Sequence, residues 1–136
     1  MNKRCFCAAA LLALACTSCG NGLYPVSGRV LYKGQPAAGA AVFFQRQGGD
    51  PENEHMIMGL VQDDGSFILV CGSQGKGAPP GEYHVSIEWR RGVHRSGREQ
   101  KPPDRLKGRY ADPQRPLLHA TVKAETNNLP PFELTD

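Results

Sequence analysis

Beyond residue 19 this chain carries one cysteine, Cys71, and its full 136 residues hold one tryptophan, Trp89, and three methionines. The scarcity of cysteine excludes an internal disulfide framework for the body, because Cys5, Cys7, Cys16 and Cys19 all fall within the leader region. No Cys/His cluster at zinc-site spacing follows them, so no metal and no cofactor is expected. Long apolar runs are missing too. The longest, Phe6 to Ala15, is about half of what a bilayer crossing needs. No elbow motif frames Ser66, Ser73, Ser86 or Cys71 as a nucleophile. Asp63-Asp64-Gly65 lacks the further acidic positions of a calcium loop and reads as a turn.

What the chain does have is glycine and proline, sixteen and eleven residues, set between short apolar runs as in an all-β protein with tight connections. The stretch from Pro25 to Phe44 reads as strand, tight turn, strand. Val26, Gly28, Val30 and Tyr32 share one parity, while Ser27, Arg29 and Lys33 share the other. Gly34 supplies the positive φ of a turn, and Pro36 takes the chain out of the ladder before Ala41 to Gln45 begins again. Met56 to Val61 follows as a strand, then Asp63-Asp64-Gly65 as a hairpin-type turn into Ser66 to Val70. Cys71 to Gly77 reads as a glycine-rich loop. Tyr83, Val85, Ile87 and Trp89 alternate with polar neighbours, Leu117 to Lys123 forms another strand, and Pro131 to Leu134 a short last one. Seven short strands predict a Greek-key β-sandwich with one core, a size that needs no disulfide.

The first residues have a different task. Lys3 and Arg4, the apolar run and the small, polar cluster from Cys16 to Gly22 make a secretory signal peptide. Cysteines after small residues resemble the lipobox of bacterial lipoproteins. Leu14-Ala15-Cys16 and Thr17-Ser18-Cys19 are the two registers, so Cys16 and Cys19 are the candidate lipid-attachment residues. Residues 1–19 are then the leader, 20–24 a linker and 25–136 the domain. Export to the cell envelope, with membrane attachment through the lipid, is the expected address. If Cys16 is lipidated, Cys19 is available to pair with Cys71; if Cys19 is, Cys71 is a lone thiol.

Val26-Ser27-Gly28-Arg29-Val30, Gly34-Gln35-Pro36-Ala37-Ala38-Gly39-Ala40, Asp64-Gly65-Ser66-Phe67 and Pro79-Pro80-Gly81-Glu82-Tyr83-His84-Val85 together resemble the carboxypeptidase regulatory-like domain. That domain is a transthyretin-like (prealbumin-like) β-sandwich, also similar to the collagen-adhesin B-type repeats. The tail, from Arg109-Tyr110-Ala111-Asp112-Pro113 to Phe132-Glu133-Leu134, resembles small planctomycete lipoproteins of this type. The resemblance implies a non-catalytic binding or structural module, and it carries over no catalytic residue. The hydroxyisourate hydrolase branch of the fold ends in Tyr-Arg-Gly-Ser, which is missing here. A small transthyretin-like ligand-binding protein or hydrolase is the alternative, and it requires a concave pocket with convergent His or acid groups. Collagen-adhesin domains form a Lys–Asn isopeptide, for which Lys33, Asn127 or Asn128, and Glu88 lie in loosely comparable regions. Lys33 in a turn and Glu88 on the polar parity argue against it.

One feature exceeds what a fold needs. Residues 90–115 hold nine Lys/Arg against Glu99, Asp104 and Asp112, a local +6 in a chain of net charge +3. The segment 90–116 reads as a long, exposed, basic loop, with Arg90, Arg91, Arg95 and Arg98 as a candidate anion-binding surface for acidic polysaccharide or an acidic protein. Nucleic acid is not expected for an exported chain, nor is a small-molecule substrate. His55, His84, His94 and His119 read as scattered surface residues. A carbohydrate-binding surface would need exposed aromatics beside this loop, for which Trp89 and Tyr110 are the candidates, Trp89 fitting the core better.

Overall fold

The computed structural model describes residues 22–50, 52–90, 103–112 and 114–136. These contain no helix. The strands are β1 (Val26–Tyr32), β2 (Gln35–Pro36), β3 (Ala41–Arg46), β4 (Ile57–Leu60), β5 (Ser66–Ile68), β6 (Val70–Cys71), β7 (Gly75–Lys76), β8 (Gly81–Glu88), β9 (Leu118–Val122), β10 (Asn127–Asn128) and β11 (Phe132–Leu134). Each of the seven runs expected from alternation contains a strand. Four two-residue strands are added to them: β2, β6, β7 and β10.

The strands form two sheets, consistent with a β-sandwich. In the first, β1 is the centre: β5 and β2 pair antiparallel along one edge, and β10 and β11 pair parallel along the other. The second runs β7-β6-β4-β3-β8-β9 and is antiparallel throughout. Side-chain period sets the faces. Tyr83, Val85 and Ile87 of β8 are buried, while Glu82, His84, Ser86 and Glu88 between them point outward. Gly28 of β1 faces the ring of Phe67, where a Cβ would stand 2.8 Å from Cζ, so glycine is needed for the ring to lie flat against the strand.

Three local expectations are corrected. The two long strands of the opening stretch, β1 and β3, do not pair with each other as a hairpin, because they lie in different sheets. Lys33 (φ 50°) and Gly34 (φ 78°) make a two-residue turn of the type that matches strand twist, but only Gln35 and Pro36 return along β1. Pro36 does not end the ladder. It sits in it opposite Leu31, on an edge strand where its missing N–H has no partner to lose. The chain then crosses to the second sheet as β3. The turn Asp63-Asp64-Gly65 likewise joins strands of different sheets, since β4 lies in the second and β5 in the first. Asp64 still shapes it, its carboxylate accepting from Ser66 N and Oγ, which holds the Asp64 carboxyl below its ordinary range. Finally, the glycine-rich run after Cys71 is a tight hairpin, Val70 pairing with Lys76 and Cys71 with Gly75.

The run 66–71 changes sheet at Leu69. Its N–H donates to Val26 O in the first sheet, its carbonyl accepts from Gly77 N, and its side chain is fully buried between the layers. Asn127 closes the other edge. It is the single buried polar residue of the described chain, and its amide donates to Pro25 O, Lys123 O and Glu125 O while its oxygen accepts from Lys123 N. Asn127→Ala leaves those groups without partners in a dry site. Denaturant unfolding should show a loss of about 1–3 kcal/mol, against almost none for Asn128→Ala, whose side chain is exposed.

Candidate functional site

The strand ladder gives the sandwich two ends. At one, the chain enters: Tyr24 forms a bridge with Ala78, and Gly77 beside it donates to Leu69 O. That end also holds the β6–β7 hairpin, Met56 and the start of β8, because Gly72 N donates to Met56 O and Arg46 pairs with Tyr83. At the other end lie the Lys33–Gly34 turn, Ala41 paired with Glu88, and Trp89 in edge contact with Tyr32 at 5.5 Å. The basic connection leaves from this second end.

Its described part is not the wholly exposed loop that composition suggests. Leu106 and Tyr110 are buried in the core cluster. Asp104 organises the return: Oδ1 accepts from Trp89 N and Leu106 N, and Oδ2 from Gly108 N. Tyr110 O accepts from Ile87 N, and its hydroxyl accepts from Thr135 N. Several cations are also committed to the fold. Arg90 bonds Glu88 at 3.3 Å, Arg105 lies 3.8 Å over the Trp89 ring, and Arg109 donates to Asp136 O. Of the four arginines singled out by charge, Arg90 is therefore at the root of the connection and paired. Arg91, Arg95 and Arg98, like Cys16 and Cys19, lie outside the described residues.

The aromatics do not form a carbohydrate platform. Trp89 and Tyr110 are both buried, and Trp89 Nε1 donates to Ala38 O at 2.8 Å. The isopeptide arrangement fails on distance along the strand. Lys33 follows Tyr32 at one end of β1 and pairs with Asp136, while Asn127 sits opposite Val26 at the other end.

Two concavities bear on ligand binding. A groove of about 430 Å³ where β4 passes beside β5 and β6 is walled by the exposed side chains of Met56, Leu60, Ile68 and Val70 with Met58. Its walls carry no titratable side chain, so it offers an apolar surface without a proton donor or nucleophile. A smaller pocket of about 170 Å³ at the entry end brings Cys71, His55, Glu54, Arg46 and Tyr83 together. Here a nucleophile, a base and an acid converge among the described residues, and sequence reasoning did not single the pocket out, because its residues come from four separate runs. Its chemistry is quiet. Cys71 Sγ contacts Gln74 Oε1 at 4.0 Å, and burial pushes its thiol up, away from the reactive thiolate. Burial raises the Tyr83 phenol as well, and its hydroxyl donates to Pro79 O.

His84 and His119, read from sequence as separate surface residues, are directly opposite each other on β8 and β9. The polar parity of both was legible; their register, 35 residues apart in sequence, was not. Compared with family models, with curated proteins and with solved structures, the chain matches none.

A raised thiol pKa has a signed consequence. The folded state prefers the neutral thiol, so this contribution is complete below the unfolded thiol's pKa of about 8.5 and is lost as pH climbs above it. Wild-type stability should therefore fall relative to Cys71→Ala above that pH in denaturant titrations. Alkylation at Cys71, read by peptide mass mapping at about pH 8, should run at least about tenfold slower in the native protein than in denaturant.

Proposed function

We propose that the protein is a non-catalytic module of the cell envelope: a Greek-key sandwich of the carboxypeptidase regulatory-like type, exported by its leader and held at a membrane through lipidated Cys16 or Cys19. It works by presenting the basic connection at 90–116 to an acidic envelope polymer, polysaccharide or protein. The observation that carries this reading is the placement of chain entry and basic connection at opposite ends of the strands. With eight residues in β8, the two are separated by about 25 Å along the strand direction. Fully extended, the chain from Cys19 to Leu23 spans no more than about 14 Å, and from Cys16 about 25 Å. A tether that short holds the entry end near the bilayer and turns the local +6 outward.

The described cations support a division of labour. Arg90, Arg105 and Arg109 serve the fold through Glu88, Trp89 and Asp136. The anion-facing role therefore rests on Arg91, Arg95 and Arg98. The alternative, a small transthyretin-like ligand-binding protein or hydrolase, has the apolar groove in favour of its binding form. Against its hydrolytic form stands the protonated, Gln74-facing Cys71.

Capture on isolated envelope fractions across a salt series tests the reading. Wild type should bind and release with rising salt, and Arg91→Glu, Arg95→Glu and Arg98→Glu together should abolish capture while leaving the Arg90–Glu88 pair intact. Unchanged binding by the triple variant would remove the basic connection from the function. Polysaccharide-digested and protease-digested fractions separate the two kinds of polymer. For the anchor, exactly one of Cys16→Ser and Cys19→Ser should move the protein from the membrane to the soluble fraction with loss of the lipid mass; retention by both refutes attachment at either.

A further inference from the structure

The geometry points to a transition-metal site formed by His84 and His119 on the outer face of the second sheet, and we propose that it binds a borderline divalent cation of the zinc class. This site is independent of the anchor and of the basic connection. The two residues are cross-strand partners on β8 and β9, with rings 5.2 Å apart in an edge arrangement and Nδ1 to Nδ1 at 3.3 Å. Two nitrogens bound to one tetrahedral zinc at about 2.0–2.1 Å stand about 3.3–3.4 Å from each other. The observed separation equals that bite.

The scaffold under the pair is rigid. Tyr83 and Val85, on either side of His84, are locked in the core, and β8 lies between β3 and β9 with ladders on both edges. Both rings meet solvent, His119 more fully, so a hydrated cation reaches them without opening the fold. With the ring proton on Nε2, each imidazole keeps its Nδ1 lone pair as an acceptor able to bind a cation.

A third group is in place. Gln47 follows β3, its backbone N–H donates to Glu82 O, and its side-chain amide stands 3.5 Å from His119 Nδ1. An amide turned end for end presents its oxygen there instead of its nitrogen. One pair further along the same face, Glu82 accepts from Thr121 Oγ1, which places a carboxylate beside the site. Among the described residues no three or more His, Cys, Asp or Glu side chains stand close enough together to hold a metal ion by themselves. The site is therefore an open one: two imidazoles, an amide within reach, and positions left for water or an incoming ligand. Imidazole ligands select zinc, copper or nickel over hard cations such as magnesium and calcium.

The test is a zinc titration of the full chain at about pH 7.5, above the ordinary imidazole pKa, read through the ring-nitrogen NMR signals of each histidine. A site-resolved signal is required because any free thiol in the chain competes for zinc. The ring signals of His84 and His119 should shift together with one shared affinity, leaving His55 unmoved, and magnesium should have no effect. In His84→Ala the affinity read at His119 should fall about tenfold or more, since the second arm of the chelate is gone. The same loss at His84 is expected for His119→Ala. Independent affinities at the two rings in the wild type, or an unchanged affinity at His119 in His84→Ala, would overturn the proposal. The wild-type titration decides this even if a variant fails to fold.

Discussion

One continuous run, β5 and β6 joined at Leu69, serves both sheets, and the rest of the molecule is arranged about that fact. From Ser66 to Ile68 the chain pairs with β1, and from Val70 to Cys71 it pairs with β4. Leu69 stands between them with its side chain fully buried and its backbone satisfied by Val26 and Gly77. A buried backbone that left its ladder without partners would cost about 1–3 kcal/mol per unpaired group, so the crossing is possible only because both neighbours reach it. Gly77 can do so because at φ 108° it has no side chain; a Cβ there would stand 2.3 Å from Tyr24 O. The same contact fixes the entry of the chain, through the Tyr24–Ala78 bridge. Closure of the fold and the place where the chain enters it are thus one constraint.

Alternation was the readable part of this fold. β8 and β9 follow the parity of Tyr83-Val85-Ile87 and of the 117–123 run because one face of each is covered and the other wet. What parity does not contain is the identity of the partner strand. Lys33-Gly34 has the chemistry of a hairpin turn and makes one, yet the hairpin closes after two residues, since Ala37 and Ala40 are needed in the core and draw the chain across. Asp63-Asp64-Gly65 has the same chemistry and joins two sheets. Turn residues report the local backbone angle; the destination depends on which apolar faces must meet.

The connection from Arg90 to Arg115 misled composition for a related reason. Charge and glycine suggest a solvated loop, but Leu106 and Tyr110 are enough to seat its second half on the core, and Asp104 satisfies three N–H groups while it turns. Burying two residues of that size is worth roughly 1.5–3 kcal/mol each, sufficient to order a segment whose own hydrogen bonds are made. The arginines nearest this packed half are used as structural cations. The exposed cations of the described half that remain outside those contacts are Lys107 and Arg115.

The two candidate sites differ in what a sequence can reveal about them. A run of arginines is visible because its members are adjacent in the chain, whatever the fold does with them. His84 and His119 are invisible as a pair, because only the β8–β9 register brings them face to face, and a slip of one residue would turn one ring inward. The clean burial of Val85 and Val122 forbids that slip, since each would have to leave the core to permit it. The hydrophobic pattern that makes the sheet therefore also holds the imidazoles at 3.3 Å, and any chemistry at that pair is set by the packing on the opposite face.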